Sequence, residues 1–433
     1  MRKKTGLVIA AADGIMSLQS GVGVVVNFFF ESFHEIKDRL AETDIDLYAM
    51  CPRVNRGVKD YCEAALHIVQ TKCAMYNGRV VPLDSLSSGD TLNEIWKGTA
   101  QYSASDMWES CCVGLANKVN ELSKSYDTIY LIVHDTLFVN VSTYIKEQNI
   151  KICWIPHSLG TLFEDPNQPE RIAFEKCKIR RLIERGDKIG YISNYTKDHL
   201  FRYYNIEKQD VISFYSGIYF NSQKYNSASR IHDFLETHQI SKNKKLIFTW
   251  GRCSDQKGID IVLNSYYSVL KQNENFKDRF HLVLICPTET TYEKYWDEIQ
   301  VCKNSLPGDS YTFIDKFQES LQYDVLSYKE TGMVLLCSRY ESFGLTSIEA
   351  LHKSNNYAKI IYSPLPTFNE VFENVPNAVQ LEKNTAENLQ KEILSAINYK
   401  WEESDSEAVQ KNIKSRFNIV DNYSNGLSEL FAL

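Results

Sequence analysis

Short apolar, β-branched runs alternate along this chain with longer stretches of helical spacing, and the alternation restarts halfway. The first series is "GLVIAAA" (Gly6–Ala12), "IDLYAMC" (Ile45–Cys51), "TIYLIVH" (Thr128–His134), "KICWIPH" (Lys151–His157), "KIGYIS" (Lys188–Ser193) and "DVISFY" (Asp210–Tyr215). The second is "KLIFTWG" (Lys245–Gly251), "FHLVLIC" (Phe280–Cys286), "SYTFID" (Ser310–Asp315), "GMVLLCS" (Gly332–Ser338) and "AKIIYS" (Ala358–Ser363). Strands that are apolar throughout are buried on both faces, the mark of a parallel sheet covered by helices. A chain of 433 residues also exceeds what one hydrophobic core encloses. The expected fold is therefore α/β, two Rossmann-like, doubly wound parallel-sheet domains facing a cleft. The polar stretch after Gly217 places the boundary, giving domains 1–222 and 223–410.

Ligands of such sheets sit at the carboxyl ends of the strands, and a cleft between two domains is a default binding site. Net charge narrows the partner. At −7, with 24% charged and 43% hydrophobic residues, the chain is no coat for nucleic acid, and a small or neutral partner is expected. The start "MRKKTGLVIAAADGIM" imitates a secretory signal, but Asp13 cuts the apolar run short, which favours a first buried strand. "VGVVVNFFF" is far shorter than the roughly 20 apolar residues of a membrane span. Eleven scattered cysteines without a C-x-x-C spacing read as reduced thiols, the adjacent Cys111 and Cys112 as packing residues, and the location as cytoplasmic. The helical stretch Glu175–Lys188 carries six basic residues, but its thin apolar face favours a solvated helix over membrane contact.

Chemistry-bearing residues collect after particular strands. "SRYESFGLTSIEALH" (Ser338–His352) follows the buried run "GMVLLCS" directly. Within it Thr346-Ser347-Ile348-Glu349 reads as a T-x-x-E capping box, whereas Glu341 precedes the helix and cannot serve that purpose. Gly344 permits close backbone approach, and amides at Phe343, Gly344 and Leu345 would suit an anion at a helix start. "TWGRCSDQKGID" (Thr249–Asp260) brings Arg252 and Lys257 to another strand end, either as a diphosphate clamp or as two unrelated charges on a solvated turn. "LQSGVGVVV" offers Gly21 and Gly23 after the first strand, a weak G-x-G signal beside the plain reading of a turn. His134 with Asp135, and His157, end two later strands; a lone histidine can be structural, but this position favours a ligand role for His157. The D-x-D pair Asp44 and Asp46 lies at a strand entry, the wrong end for a metal site, and no metal is expected.

Together these segments resemble glycosyltransferase family 4, the retaining group with the GT-B fold, over most of the chain, and that fold implies that 411–433 is a terminal helix crossing back to the first domain. The most specific match is E-S-F-G-L-T-S-I-E-A (Glu341–Ala350), similar to the family's E-x7-E signature; next is W-G-R-C-S-D-Q-K-G-I-D, similar to its G-R-x-x-x-x-K-G loop. "IPHSLG", "RIAFE" (Arg171–Glu175), "ISNYTKDHL" and "YSGIYF" follow in the expected order, and "HSLG…RIAFE" resembles the branch of sucrose-phosphate synthases and inositol-phosphate sugar transferases.

The resemblance implies a hexosyltransferase that moves a sugar from a nucleotide-diphosphate sugar, UDP-linked or alternatively GDP-linked, to a hydroxyl of a small-molecule or glycan acceptor. Arg252 and Lys257 would hold the diphosphate, Glu349 the ribose, and Glu341 with the following Phe343, Gly344, Leu345 and Thr346 the donor sugar. His157 would lie beside the transferred sugar, Gly21 and Gly23 would let a loop approach the phosphates, and Lys316 and Phe317 in "FIDKF" would meet the nucleobase. The implied route is front-face transfer with retention, the leaving phosphate accepting the acceptor's proton. Departures occur after Ala350, where "LHKSNNYAKIIYSP" replaces a C-G-x-P-V turn, and at "PTFNE", where only Glu370 matches. These alter the rim facing the sugar, and Arg53–Asp127, which aligns with nothing in the family, would shape acceptor choice. An epimerase or phosphorylase of the same fold, or a non-catalytic partner subunit, is the alternative.

Overall fold

The computed structural model describes residues 4–41, 44–58, 61–83, 106–162, 169–225, 230–273, 275–288, 291–316, 318, 320–397 and 406–433. The chain divides into two compact units, Met1–Tyr219 with Phe417–Leu433, and Phe220–Arg416.

The first unit is built on seven parallel strands, β1 (Thr5–Ala10), β2 (Ile45–Pro52), β3 (Val80–Leu83), β4 (Thr128–His134), β5 (Ile150–Ile155), β6 (Lys188–Tyr191) and β7 (Val211–Ser213). Their spatial order is β3-β2-β1-β4-β5-β6-β7. β1 has neighbours on both sides, Thr5 lying opposite Ile45 and opposite Thr128. The order reverses between β1 and β4, so their carboxyl ends flank the switch point where such sheets bind ligands. β1, β2 and most of β4 are buried on both faces, as their unbroken apolar runs require. The C-terminal helix Ile419–Phe431 completes this unit. Ile218 N–H bonds the Phe417 carbonyl at 3.0 Å, Ile419 N–H bonds the Ile218 carbonyl at 3.1 Å, and Tyr423 packs between Phe29 and Phe214 with ring centroids 5.5 and 5.4 Å away.

The second unit carries six parallel strands, β8 (Lys245–Trp250), β9 (Phe280–Ile285), β10 (Tyr311–Ile314), β11 (Thr331–Leu336), β12 (Lys359–Tyr362) and β13 (Ala378–Gln380), in the order β10-β9-β8-β11-β12-β13. Here the switch point lies between β8 and β11. Two edge strands, β3 and β13, escape the pattern reading. β3 contains Pro82, tolerated only at an edge or bulge, and β13 is three residues long.

Two local expectations need correction. Gly21 and Gly23 are not in a loop; they form the first turn of the helix Gly21–Lys37, whose N-cap Ser20 accepts the Gly23 N–H at 3.2 Å. Thr346 and Glu349 do not form a capping box. The helix Leu345–Lys353 is preceded by Gly344 in the left-handed region, φ 80°, with no side-chain cap. Phe317 lies outside the described residues. All eleven cysteines are free thiols; Cys111 and Cys112 pack inside a helix, and burial pushes the Cys51 and Cys73 thiols up to about 12. Among the described residues, no helix is long and apolar enough to cross a membrane.

Candidate functional site

In the second unit, two loops leave the carboxyl ends of β8 and β11 and are tied to each other. After β8 comes a tight turn, Asp255–Lys257, and then the helix Ile259–Gln272. Gly258 joins them at φ 64°, where a Cβ would stand 2.1 Å from the Cys337 carbonyl; only glycine lets the turn lie so close to the end of β11. From the other loop, Arg339 N–H bonds the Gln256 carbonyl at 2.7 Å, and its guanidinium forks onto Asp260 at 2.9 and 2.6 Å. Burial alone would raise the Asp260 carboxyl, but the Arg339 bonds and charge outweigh it and hold the group below its ordinary range. Gln256 donates to the Tyr340 carbonyl at 3.2 Å. The sequence shows Arg339 only as one member of a polar knot; its clamp on Asp260 depends on tertiary contact.

This clamp brings Arg252, Lys257 and Glu341 into one neighbourhood. Lys257 Nζ bonds Glu341 Oε1, which also accepts from Ser338 Oγ at 2.7 Å. Arg252 is exposed, with Nη2 3.5 Å from Gln256 Oε1. Phe343 is buried, and Gly344 sits where a Cβ would be 2.7 Å from the Phe368 ring. Leu345 and Thr346, both half-buried, open the following helix, and helix geometry leaves first-turn amides without intrahelical acceptors.

Glu349, one helical turn further, faces a different set of partners. Its Oε1 accepts from Tyr323 Oη at 2.7 Å and lies 3.5 Å from Lys224 Nζ. Burial and then the Glu349 charge push the Tyr323 hydroxyl well above its ordinary range, so it remains a donor. Lys224 also lies over the Tyr323 and Tyr225 rings. Neither Lys224 nor Tyr323 stands out in the sequence. In both glutamates Oε1 takes the protein contacts, and among the described residues Oε2 has no hydrogen-bond partner. Lys316 is exposed beyond β10, two strands from β8, and no hydrogen bond or ion pair among the described residues joins it to this group.

The first unit presents its own cluster at its switch point. Beyond β1 the carboxylate of Asp13, fully buried, accepts from the amides of Gly14, Gln19 and Ser20 and from the hydroxyls of Ser17 and Ser20, at 2.7 to 3.2 Å. Gly23 makes room for it, since a Cβ there would lie 2.3 Å from Asp13 Oδ2. Beyond β4 and β5, His134 Nδ1 lies 2.8 Å from His157 Nε2. Burial lowers both imidazoles, His157 to about 3. Asp135, at φ 64°, accepts from Ser158 Oγ, which accepts from Arg171 at 2.7 Å. Arg171 Nε also bonds Glu175 at 2.7 Å, and Glu175 takes the Gly160 N–H at 3.0 Å and the Tyr204 hydroxyl. This buried network fixes the His157–Gly160 segment. Of the D-x-D pair, Asp46 is consumed by Tyr126 and Lys4 at the entry of β2, and no described group of three His, Cys, Asp or Glu could hold a metal ion.

Comparisons with known proteins fit this arrangement. Residues 231–416 match the family of glycosyl transferases group 1. A glycogen synthase from Mycoplasma mobile is 31% identical over 114 residues, 26% of this chain and 22% of that protein. The match thus spans about a fifth of that relative's length. Among solved structures, a sucrose-phosphate synthase from Thermosynechococcus elongatus superposes with a TM-score of 0.70 at 14% identity, covering 99% of this chain and 100% of that one. An α,α-trehalose-phosphate synthase from Burkholderia vietnamiensis gives 0.68 at 11% identity, covering 99% and 100%. Both likenesses establish the fold, two parallel-sheet α/β units of the GT-B kind. Residues 231–416, which hold the clamp and both glutamates, are thus the part of the chain that is similar to the glycosyl transferases group 1 family.

Proposed function

We propose that the protein transfers a hexose from a nucleotide-diphosphate sugar to an acceptor hydroxyl with retention of anomeric configuration. The observation that carries this reading is the convergence of Arg252, Lys257 and Glu341 with a helix start at the ends of β8 and β11. Two cations and the first-turn amides of Leu345 and Thr346 suit a diphosphate, which gains charge as the sugar departs. Glu341 Oε2 is available to a donor-sugar hydroxyl and Glu349 Oε2 to the ribose.

In the front-face route the bond from the anomeric carbon to the diphosphate oxygen breaks while the acceptor oxygen bonds to the same face. The acceptor's proton passes to the departing phosphate, so no protein base is needed. What the chain supplies is positioning and charge stabilisation. We take UDP as the first nucleotide to test and GDP as the second. A solved neighbour, the trehalose-phosphate synthase of Burkholderia xenovorans, is in complex with glucose-6-phosphate; a sugar phosphate is accordingly the acceptor class to try first. Epimerase, phosphorylase and non-catalytic readings draw no support from these contacts.

The test is thermal unfolding with a panel of nucleoside diphosphates, followed by mass spectrometry of nucleotide-sugar hydrolysis. A raised melting temperature with at least one nucleotide is expected, together with loss of turnover in Arg252→Ala. Flat melting across the panel, or unchanged turnover in the variant, would place the reading in error.

A further inference from the structure

The two histidines at the ends of β4 and β5 form a unit in which the transfer reading gives a place to His157 and leaves His134 unexplained. His134 is 1% exposed and His157 6% exposed. The 5.1 Å separation of their centroids equals the 2.8 Å hydrogen bond plus the two ring radii, and the planes are tilted by only 28°. The rings therefore meet edge to edge, with the bond lying along their planes, which is good hydrogen-bond geometry. The backbone that carries the rings is held in place. β4 and β5 are paired up to His134 opposite Ile155, Asp135 N–H bonds the Ile155 carbonyl at 2.9 Å, and Trp154 Nε1 bonds the Asp135 carbonyl at 2.9 Å.

Burial keeps both imidazoles neutral near pH 7, so each ring carries one proton. Two arrangements satisfy the shared bond. If His157 donated from Nε2, His134 would carry its own proton on Nε2. That atom is buried without a partner, and an orphaned buried N–H is rare. If His134 donates from Nδ1, its buried Nε2 is a bare nitrogen with no proton to place. His157 then accepts at Nε2 and carries its proton on Nδ1, the nitrogen that has no protein partner among the described residues.

The geometry points to His134 as a positioning residue: it locks His157 into the Nδ1-protonated tautomer, so that the ring at the β5 end offers a hydrogen-bond donor to a ligand hydroxyl. The buried chain Asp135–Ser158–Arg171–Glu175 holds the backbone on which this ring is mounted. The ligand half of the inference rests on the transfer reading, with a sugar hydroxyl as the group recognised. The tautomer half stands apart from it.

The experiment is nitrogen NMR of the full-length chain labelled at histidine, at pH 7. His157 is expected Nδ1-protonated in the wild-type chain and Nε2-protonated, the commoner form, in His134→Phe. His134→Asn presents an amide N–H near the lost Nδ1 and should restore the Nδ1 form, which guards against a variant that merely misfolds. An Nε2-protonated His157 in the wild type, or a tautomer indifferent to His134→Phe, overturns the inference. In the nucleotide-sugar hydrolysis assay, His134→Phe should lose about tenfold in kcat with a smaller change in KM, the effect of one lost hydrogen bond, and His134→Asn should recover most of it. Equal losses in both variants would reduce His134 to a packing residue. Should no nucleotide sugar be turned over at all, the transfer reading falls while the tautomer measurement still decides the role of His134.

Discussion

Tyr323 donates its hydroxyl to Glu349 Oε1 across 2.7 Å, and this bond decides which oxygen of the carboxylate the protein keeps and which it leaves open. Tyr323→Phe removes the donor from a buried charged acceptor, leaving among the described residues only Lys224 at 3.5 Å. The expected result is a KM for the nucleotide sugar raised about tenfold, with about 1–2 kcal/mol lost from unfolding free energy. Donor kinetics and urea unfolding check both; an unaltered KM would detach Glu349 from the donor.

Lys257 and Glu341 form a pair whose side chains are 15% and 8% exposed. Removing one partner leaves the other charge uncompensated, so Lys257→Met should cost about 2–3 kcal/mol. The double variant Lys257→Met with Glu341→Gln should be more stable than the single one, a coupling that a double-mutant cycle measures directly. Turnover should fall at least about a hundredfold in Lys257→Met, the scale of losing one charge-stabilising donor. A single variant within about 0.5 kcal/mol of wild type would contradict the pairing.

Gly23 is set by its neighbour rather than by its own helix. Gly23→Ala drives a Cβ towards Asp13 Oδ2, 2.3 Å away, and the buried carboxylate is held by five donor groups. Such overpacking costs about 1–3 kcal/mol, even though alanine is the better helix former. Calorimetry should show a lower melting temperature, and a rise would mean that Asp13 moves freely.

His281 in β9 provides a pH test. Its Nε2 bonds Thr312 Oγ1 at 2.9 Å, and burial lowers its pKa from 6.5 to about 4. The unfolded chain takes up this proton at a higher pH than the native one, so the contribution is complete above pH 6.5 and drains away as pH falls towards 4. The loss from this group between pH 7 and pH 5 is about 2 kcal/mol. His157 and His352, also lowered by burial, act in the same direction. Asp135, raised by burial, acts in the opposite one. Urea unfolding at the two pH values should show His281→Gln with a shallower dependence; identical slopes would remove His281 from the account.

The strands legible in the sequence are those whose side chains are apolar on both faces, such as "TIYLIVH" in β4 and "FHLVLIC" in β9. Burial writes a local signature, and the order of strands and loops then places Arg252, Lys257 and Glu341 at strand ends. What escaped depends on residues far apart in the chain. "GVGVVVNFFF" reads as loop and apolar run, yet it is helix because Ser20 caps it and Asp13 packs under Gly23. Thr346 and Glu349 have capping-box spacing, but Gly344 already turns the backbone and Glu349 is drawn to Tyr323, 26 positions away. The Arg339–Asp260 fork spans 79 positions and has no local trace.

The return of Phe417–Leu433 to the first unit bears on how the protein is made. Synthesis delivers Phe220–Arg416 entire before the residues that finish the unit begun at the N-terminus. Until Tyr423, Leu427 and Leu430 emerge, all fully buried in the finished fold, the faces of Phe29 and Phe214 that meet Tyr423 have no cover. Each such side chain contributes about 1.5–3 kcal/mol on burial, a large share of a domain's net stability. The unit begun first thus closes only after the second has been made, and until then the nascent chain carries an exposed apolar face.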